Sequence, residues 1–196
     1  MLTRQGSIVT VPSGADPISV ADAKVHLRIE QADTDQDGFV AQLCAAAHRK
    51  VENELDYPIL RQTRQTHLRG FPEAEIDLGG GNDFQVASVD YYDADGVQQT
   101  LATSAYILDA VSKPAKLYPA PNTLWPATQD RPGAVIVEWQ SGWAAPGDVP
   151  PDLLHAMRLL IGHWDQNREA VVIGSISTDV QFTFDALIWP FRIYHM

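Results

Sequence analysis

The chain has 196 residues, is 45% hydrophobic and carries a formal net charge of −11, with 14 basic against 25 acidic residues. That length bounds it to one domain, or one domain carrying an insertion, with enough apolar content for a real core. The acidic balance argues against a duplex-binding protein, which needs basic groups to neutralise phosphates, and against attraction to anionic membranes.

The first element in chain order is a polar arm over residues 1–16, extended around Val9 and Val11 and usable as a docking edge. It has no continuous apolar stretch of the kind a secretory signal requires, and no run in the chain approaches a membrane span. Ser19 with Asp22 three residues later resembles a capping box and predicts a short helix to about Arg28. Residues 33–37 form an acidic break. After it Phe39, Leu43, Ala47, Val51 and Leu55 recur at helical spacing, with Val40 and Cys44 beside them, until Pro58 stops the pattern. Ala45, Ala46 and Ala47 would let another helix approach closely.

From Arg61 to Val137 the period changes. Short alternating runs at 62–68, 75–78, 85–92, 97–101, 105–109, 116–118 and 134–139 read as strands. Gly79, Gly80 and Gly81 mark a turn, and Asp95-Gly96 marks a hairpin. Helical spacing returns after Pro150 and Pro151. Asp152 stands as the expected N-cap, and Leu153, Leu154, Met157, Leu160, Ile161 and Trp164 form one apolar stripe. His155, Arg158, His163 and Gln166 lie on the opposite side. Residues 185–188 suggest one helical turn. The apolar Phe191, Ile193 and Tyr194 must then fold back on the core or meet a partner. The expected class is α+β: a small α-helical bundle (17–59 and 143–175) with an inserted antiparallel β unit (60–142), an N-terminal arm (1–16) and an extended C-terminal tail (176–196).

Few patterns carry chemistry. Asp33, Asp35, Asp37 and Gly38 match the first half of a calcium loop, but the twelfth position, which must be a bidentate Glu, is Cys44. A solvated helix start accounts for the acids equally well. The six histidines show no ligand spacing on a single element. His155 and His163 are two turns apart, too far for a paired zinc site. One cysteine permits neither a disulfide framework nor a cysteine-based zinc site within one chain, and suggests a reducing environment. The glycine run lacks the Lys-Ser/Thr of a phosphate cradle, and no nucleophile elbow is present. No catalytic residue, cofactor site or metal site is expected, so the chain does not read as an enzyme. Trp125, Trp139 and Trp143 would suit a carbohydrate- or receptor-binding accessory module if they lay in one row on the β unit. Aromatics on a small sheet more often form its core.

Read together, several stretches resemble one family. Pro17-Ile18-Ser19-Val20-Ala21-Asp22-Ala23-Lys24-Val25-His26-Leu27-Arg28 is similar to the opening of tailed-phage head–tail connector (adaptor) proteins, the phiE125 gp8 and gp6-like group. So are the acidic break before an alanine-rich helix, Asp93-Ala94-Asp95-Gly96, and Trp125-Pro126-Ala127 ahead of Arg131-Pro132-Gly133-Ala134-Val135. His163-Trp164 with Asn167-Arg168-Glu169-Ala170-Val171-Val172 is the strongest mark. The resemblance runs from Pro17 to about Arg192.

It implies a structural virion protein of a bacteriophage or phage-derived particle. Such a protein forms a homo-oligomeric ring, usually dodecameric, under the portal protein at the head–tail junction, and is assembled in the host cytoplasm. The ring extends the DNA channel, lets DNA pass without specific binding, and docks a stopper or tail-terminator protein. Under that resemblance Phe182, Phe184, Trp189, Pro190, Phe191 and Tyr194 are expected to order on the portal. Arg158, Leu159 and Arg168, off the buried stripe, are expected at contacts between subunits.

Overall fold

The computed structural model describes residues 7–168 and 178–193. Tyr194, the Glu169–Val172 part of the family mark and the join between the expected bundle and tail lie outside them. The chain divides into two compact units, one built from Gly14–Leu60 and Trp143–Ile193, the other centred on Arg61–Gly142 and joined by the N-terminal strand. Helices and antiparallel sheets together make it α+β, as expected.

In the helical unit α1 (Val20–Leu27) starts where its spacing predicts, with Ser19 Oγ accepting the Asp22 amide at 3.1 Å. It closes on Arg28 in the left-handed region, and the Ile29 amide returns to the Lys24 carbonyl at 2.9 Å. The second helix, α2 (Asp37–Leu55), ends ahead of Pro58 with a left-handed Asp56. Helix α3 (Pro151–Gln166) corrects one expectation, because Asp152 is not its N-cap. Pro150 holds the cap position. Pro151 opens the helix because its fixed φ suits the first turn and it has no amide to leave orphaned. Asp152 therefore sits inside that turn, where it acts only through the helix dipole.

The last helix is longer than the single turn expected at 185–188. It is α4 (Thr178–Ile188), followed by a 3₁₀ turn, Trp189–Phe191. Helix α3 packs against α1, α2 and α4. The core is built from Val40, Leu43, Ala47, Val51 and Leu55 of α2, Leu153, Ala156, Met157, Leu160 and Ile161 of α3, and Phe184 and Ile188 of α4. Leu154 and Trp164 from the predicted stripe form its half-buried rim. Each buried aliphatic side chain of this size stabilises the fold by roughly 1.5–3 kcal/mol.

Among the described residues the β unit holds eight strands: β1 (Ser7–Val11), β2 (Gln62–Leu68), β3 (Ile76–Gly79), β4 (Gln85–Tyr92), β5 (Gln98–Thr100), β6 (Tyr106–Asp109), β7 (Ala115–Pro119) and β8 (Val135–Ser141). They form two antiparallel sheets, β1-β2-β8-β4-β5 and β3-β7-β6. Strand β8 alternates strictly, sending Val135, Val137, Trp139 and Ser141 inward. These meet Ile76, Leu78 and Leu117 of the smaller sheet in one core. Trp139 stacks on Phe84 at 4.7 Å, and its Nε1 donates to Thr66 Oγ1 at 2.9 Å. Gly81, at φ 129°, lies so close to Ser141 that a Cβ there would stand 2.5 Å from its hydroxyl oxygen, so the turn requires glycine. The Asp93–Gly96 hairpin forms as predicted, with the Asp93 carboxylate accepting the Asp95 and Val97 amides. The expected docking edge at Val9 and Val11 is β1, paired to β2.

Where the chain passes between the two segments of the helical unit, Leu60 bridges Trp143 in parallel. The Trp143 amide donates to the Ile59 carbonyl at 2.7 Å.

Candidate assembly surface

The acidic break that matches half a calcium loop is organised by a cation from within the chain. Lys24, on the inner face of the short α1, is only 2% exposed. Its ammonium donates to the Gln31 carbonyl at 3.0 Å, the Asp33 carbonyl at 2.5 Å and Asp37 Oδ1 at 2.8 Å. Asp33 spends its carboxylate on the Asp35 amide, 3.1 Å away. An ammonium with three donors satisfies such a set where a hard divalent ion would need six or more oxygens. Among the described residues no group of three His, Cys, Asp or Glu converges as a metal-ligand set. Cys44, at the calcium loop's twelfth position, packs in the core. Burial, with Asp16 adding to it, pushes its thiol up to about 11, so it behaves as a small apolar side chain. No sequence motif marks Lys24 directly. Its only signal is a lysine on the expected buried side of a short helix just before an acidic run.

His48 is the second buried ionisable group of the bundle. Its Nδ1 lies 2.9 Å from Asp16 Oδ1, and its Nε2 lies 3.3 Å from Glu52 Oε1. Glu52 Oε1 also accepts the Ile59 amide at 2.8 Å, which draws it off line for the imidazole. Burial opposes charge on the ring, but the two carboxylates outweigh it and hold His48 above its ordinary 6.5. A raised folded value means that the stabilisation is full below about 6.5 and disappears as pH rises through the folded value. Thermal unfolding from pH 5 to 9 should therefore show stability falling on the alkaline side of 6.5. His48→Gln should flatten that slope, and an unchanged slope would remove His48 as its source.

The residues expected at interfaces fall into three groups. Phe184 belongs to the helical core, and Phe191 is half-buried, its carbonyl accepting the Tyr57 hydroxyl at 2.8 Å. Arg192 continues the anchorage, with Glu54 at 3.0 Å and Asp185 at 2.8 Å. Truncation from Asp185 onward would strip Ile188 from the core. Phe182, Trp189 and Pro190 form the second group and are exposed. Helix α4 is thus apolar on two sides, with Phe184 and Ile188 inward and Phe182, Ala186 and Trp189 outward at i, i+4 and i+7. The third group lies on α3. Arg158 and Leu159 are half-buried. Arg168 is engaged within its own chain, its guanidinium 4.5 Å over the Phe39 ring and bonded to Gln36 and Asp165.

The tryptophans do not make a row. Trp139 is buried in the sheet core. Trp143 packs on the helical core. Trp125 stacks on Phe71 at 4.8 Å with its Nε1 donating to the Ala74 carbonyl. The signals available in sequence for a sugar face are therefore spent on packing. No helix among the described residues is long and apolar enough to cross a membrane.

No family profile matches the chain, and no curated protein does. Solved structures do. The chain is similar to one in the neck of an empty gene transfer agent particle computed with C6 symmetry, with a TM-score of 0.75 and 18% identity over 97% of each chain. It is similar to one in the virion of a native gene transfer agent particle, with a TM-score of 0.74 and 19% identity over 97% of this chain and 96% of that one. A third lies in the neck of a native particle computed with C12 symmetry, with a TM-score of 0.69 and 20% identity over 99% and 97%. The likeness establishes a shared fold over almost the whole chain.

Proposed function

We propose that this chain is a structural neck component of a phage-like particle: a head–tail connector, or adaptor, that forms a ring under the portal protein. The ring extends the DNA channel and docks a stopper or tail-terminator protein. The observation that carries this reading is the end-to-end likeness to chains of gene transfer agent particles, two of them from necks computed with six- and twelvefold symmetry.

The physical chemistry agrees. An acidic lumen would offer DNA phosphates no cations to condense on, and a net charge of −11 is compatible with one. Helix α4 holds a second apolar side in water, which a ring subunit or a portal contact would cover. The tryptophans that a carbohydrate-binding module would present in a row are engaged in packing.

Electron microscopy of the purified chain, and of particles carrying a labelled copy, tests the reading. A ring at the portal vertex is expected; label at the tail tip or on the capsid face would overturn it. A second measurement addresses the surface. Because Phe182 and Trp189 are exposed, replacing both with Glu should change monomer stability by no more than about 0.5 kcal/mol. A buried interface tryptophan contributes about 2 kcal/mol or more, so assembly should weaken by roughly thirtyfold or more. Unchanged assembly would take this stripe out of the interface.

A further inference from the structure

In the helical unit, the large hydrophobic side chains left exposed among the described residues are Val25 at 70%, Phe182 at 77% and Trp189 at 58%. They sit on two different helices. Phe182 and Trp189, with the exposed Ala186 between them, line the outer side of α4 and the turn that continues it. Val25 lies on α1 one turn beyond the exposed Ala21, with the exposed Arg28 at the foot of that helix. Helix α1 packs on α2 and α3, and α4 packs on α3 and the 3₁₀ turn, and each keeps an exposed side. Each is well anchored on its inner side, α1 through Ala23 and Lys24, α4 through Phe184 and Ile188.

Two separate apolar patches on one unit are what a head-to-tail contact between copies requires, since such an interface joins unlike surfaces. Building on the ring reading, we infer that the Phe182–Ala186–Trp189 side of α4 in one copy seats on the Ala21–Val25 side of α1 in the next. The exposed side of α1 also carries Asp22 and His26, so its apolar contact is confined to Ala21 and Val25. Two large aromatics meet a patch opened by the small Ala21, and Arg28 supplies a guanidinium that can lie over an indole face. Two-fold pairing of α4 with α4 would cover the aromatics but leave Val25 in water and would close as a dimer. The sixfold and twelvefold symmetries of the structurally similar necks fit the head-to-tail arrangement.

Cysteine cross-linking of the full chain tests this. Cys44 is buried and does not compete. Under mild oxidation the double variant Val25→Cys/Ala186→Cys should give a ladder of disulfide-linked oligomers, and neither single variant should give a linked dimer. Native mass spectrometry of the same samples reports whether rings are present. Linked dimers from Ala186→Cys alone would overturn the inference in favour of two-fold pairing. Rings without a ladder would overturn it while leaving the ring reading intact. A chain that stays monomeric at every concentration would overturn both.

Discussion

Lys24→Met should destabilise the helical unit by about 3 kcal/mol, the low end of the cost of breaking a buried ion pair. Methionine fills the same volume but cannot donate. The Gln31 and Asp33 carbonyls, which accept from the ammonium at 3.0 and 2.5 Å, are left without it. Asp37 fares better, because its side chain is 41% exposed and can recover water, which keeps the cost from rising further. Chemical denaturation of the full chain, followed by helical circular dichroism, reads the loss. A shift under 1 kcal/mol would mean that the loop holds its shape without the ammonium. Lys24→Arg is expected to fall between, since its larger fork retains the charge but does not fit a site only 2% open to solvent.

Trp139→Ala should cost the β unit about 3–5 kcal/mol, the usual range for an aromatic removed from a core. The indole is 1% exposed, stacks on Phe84 and contacts both sheets' shared core. Its loss also orphans the Thr66 hydroxyl, which accepts the indole N–H inside the unit. Chemical denaturation followed by far-ultraviolet circular dichroism compares the two proteins, because the Trp139–Phe84 stack is absent from the variant. A loss below 1 kcal/mol would show that the sheets close over the gap, which a rigid eight-strand unit should not permit.

Much of this fold is legible in the chain because its strands alternate and its turns are written in glycine. The run at 62–68 is β2 and the run at 85–92 is β4, because period-two patterns bounded by Pro, Gly and Asp leave little choice of register. What was not legible depends on phase and on distance. Thr178, Thr183 and Gln181 dilute the helical signal of α4, and packing of Phe184 and Ile188 on the bundle overrides that weak propensity. The aromatic tail could face the core or a partner. The structure divides it residue by residue, and only a helical phase fixes which aromatics turn inward. Arg168 lies off the buried stripe and is exposed, and the Phe39 ring it covers is far away in sequence, so no local pattern announces the contact. The placement of Lys24 could not be read because its partners lie in a loop whose shape no local pattern specifies.

The junction at Leu60 and Trp143 bears on how such a chain came to exist and how it can be re-engineered. The polypeptide leaves the helical scaffold at Leu60 and rejoins it at Trp143, two residues that pair as a bridge while the Trp143 amide donates to the Ile59 carbonyl. A segment spliced in at such a point has its ends pre-positioned, and its length adds to the entropic cost only logarithmically. The site is therefore a socket: a lineage can lengthen, shorten or exchange what hangs from it while inheriting the same helical scaffold. In the laboratory, a foreign domain joined through linkers long enough to reverse the chain, as a parallel pair requires, should be accepted there in place of Arg61–Gly142 and of the β1 strand that pairs with it, with the helical circular dichroism retained.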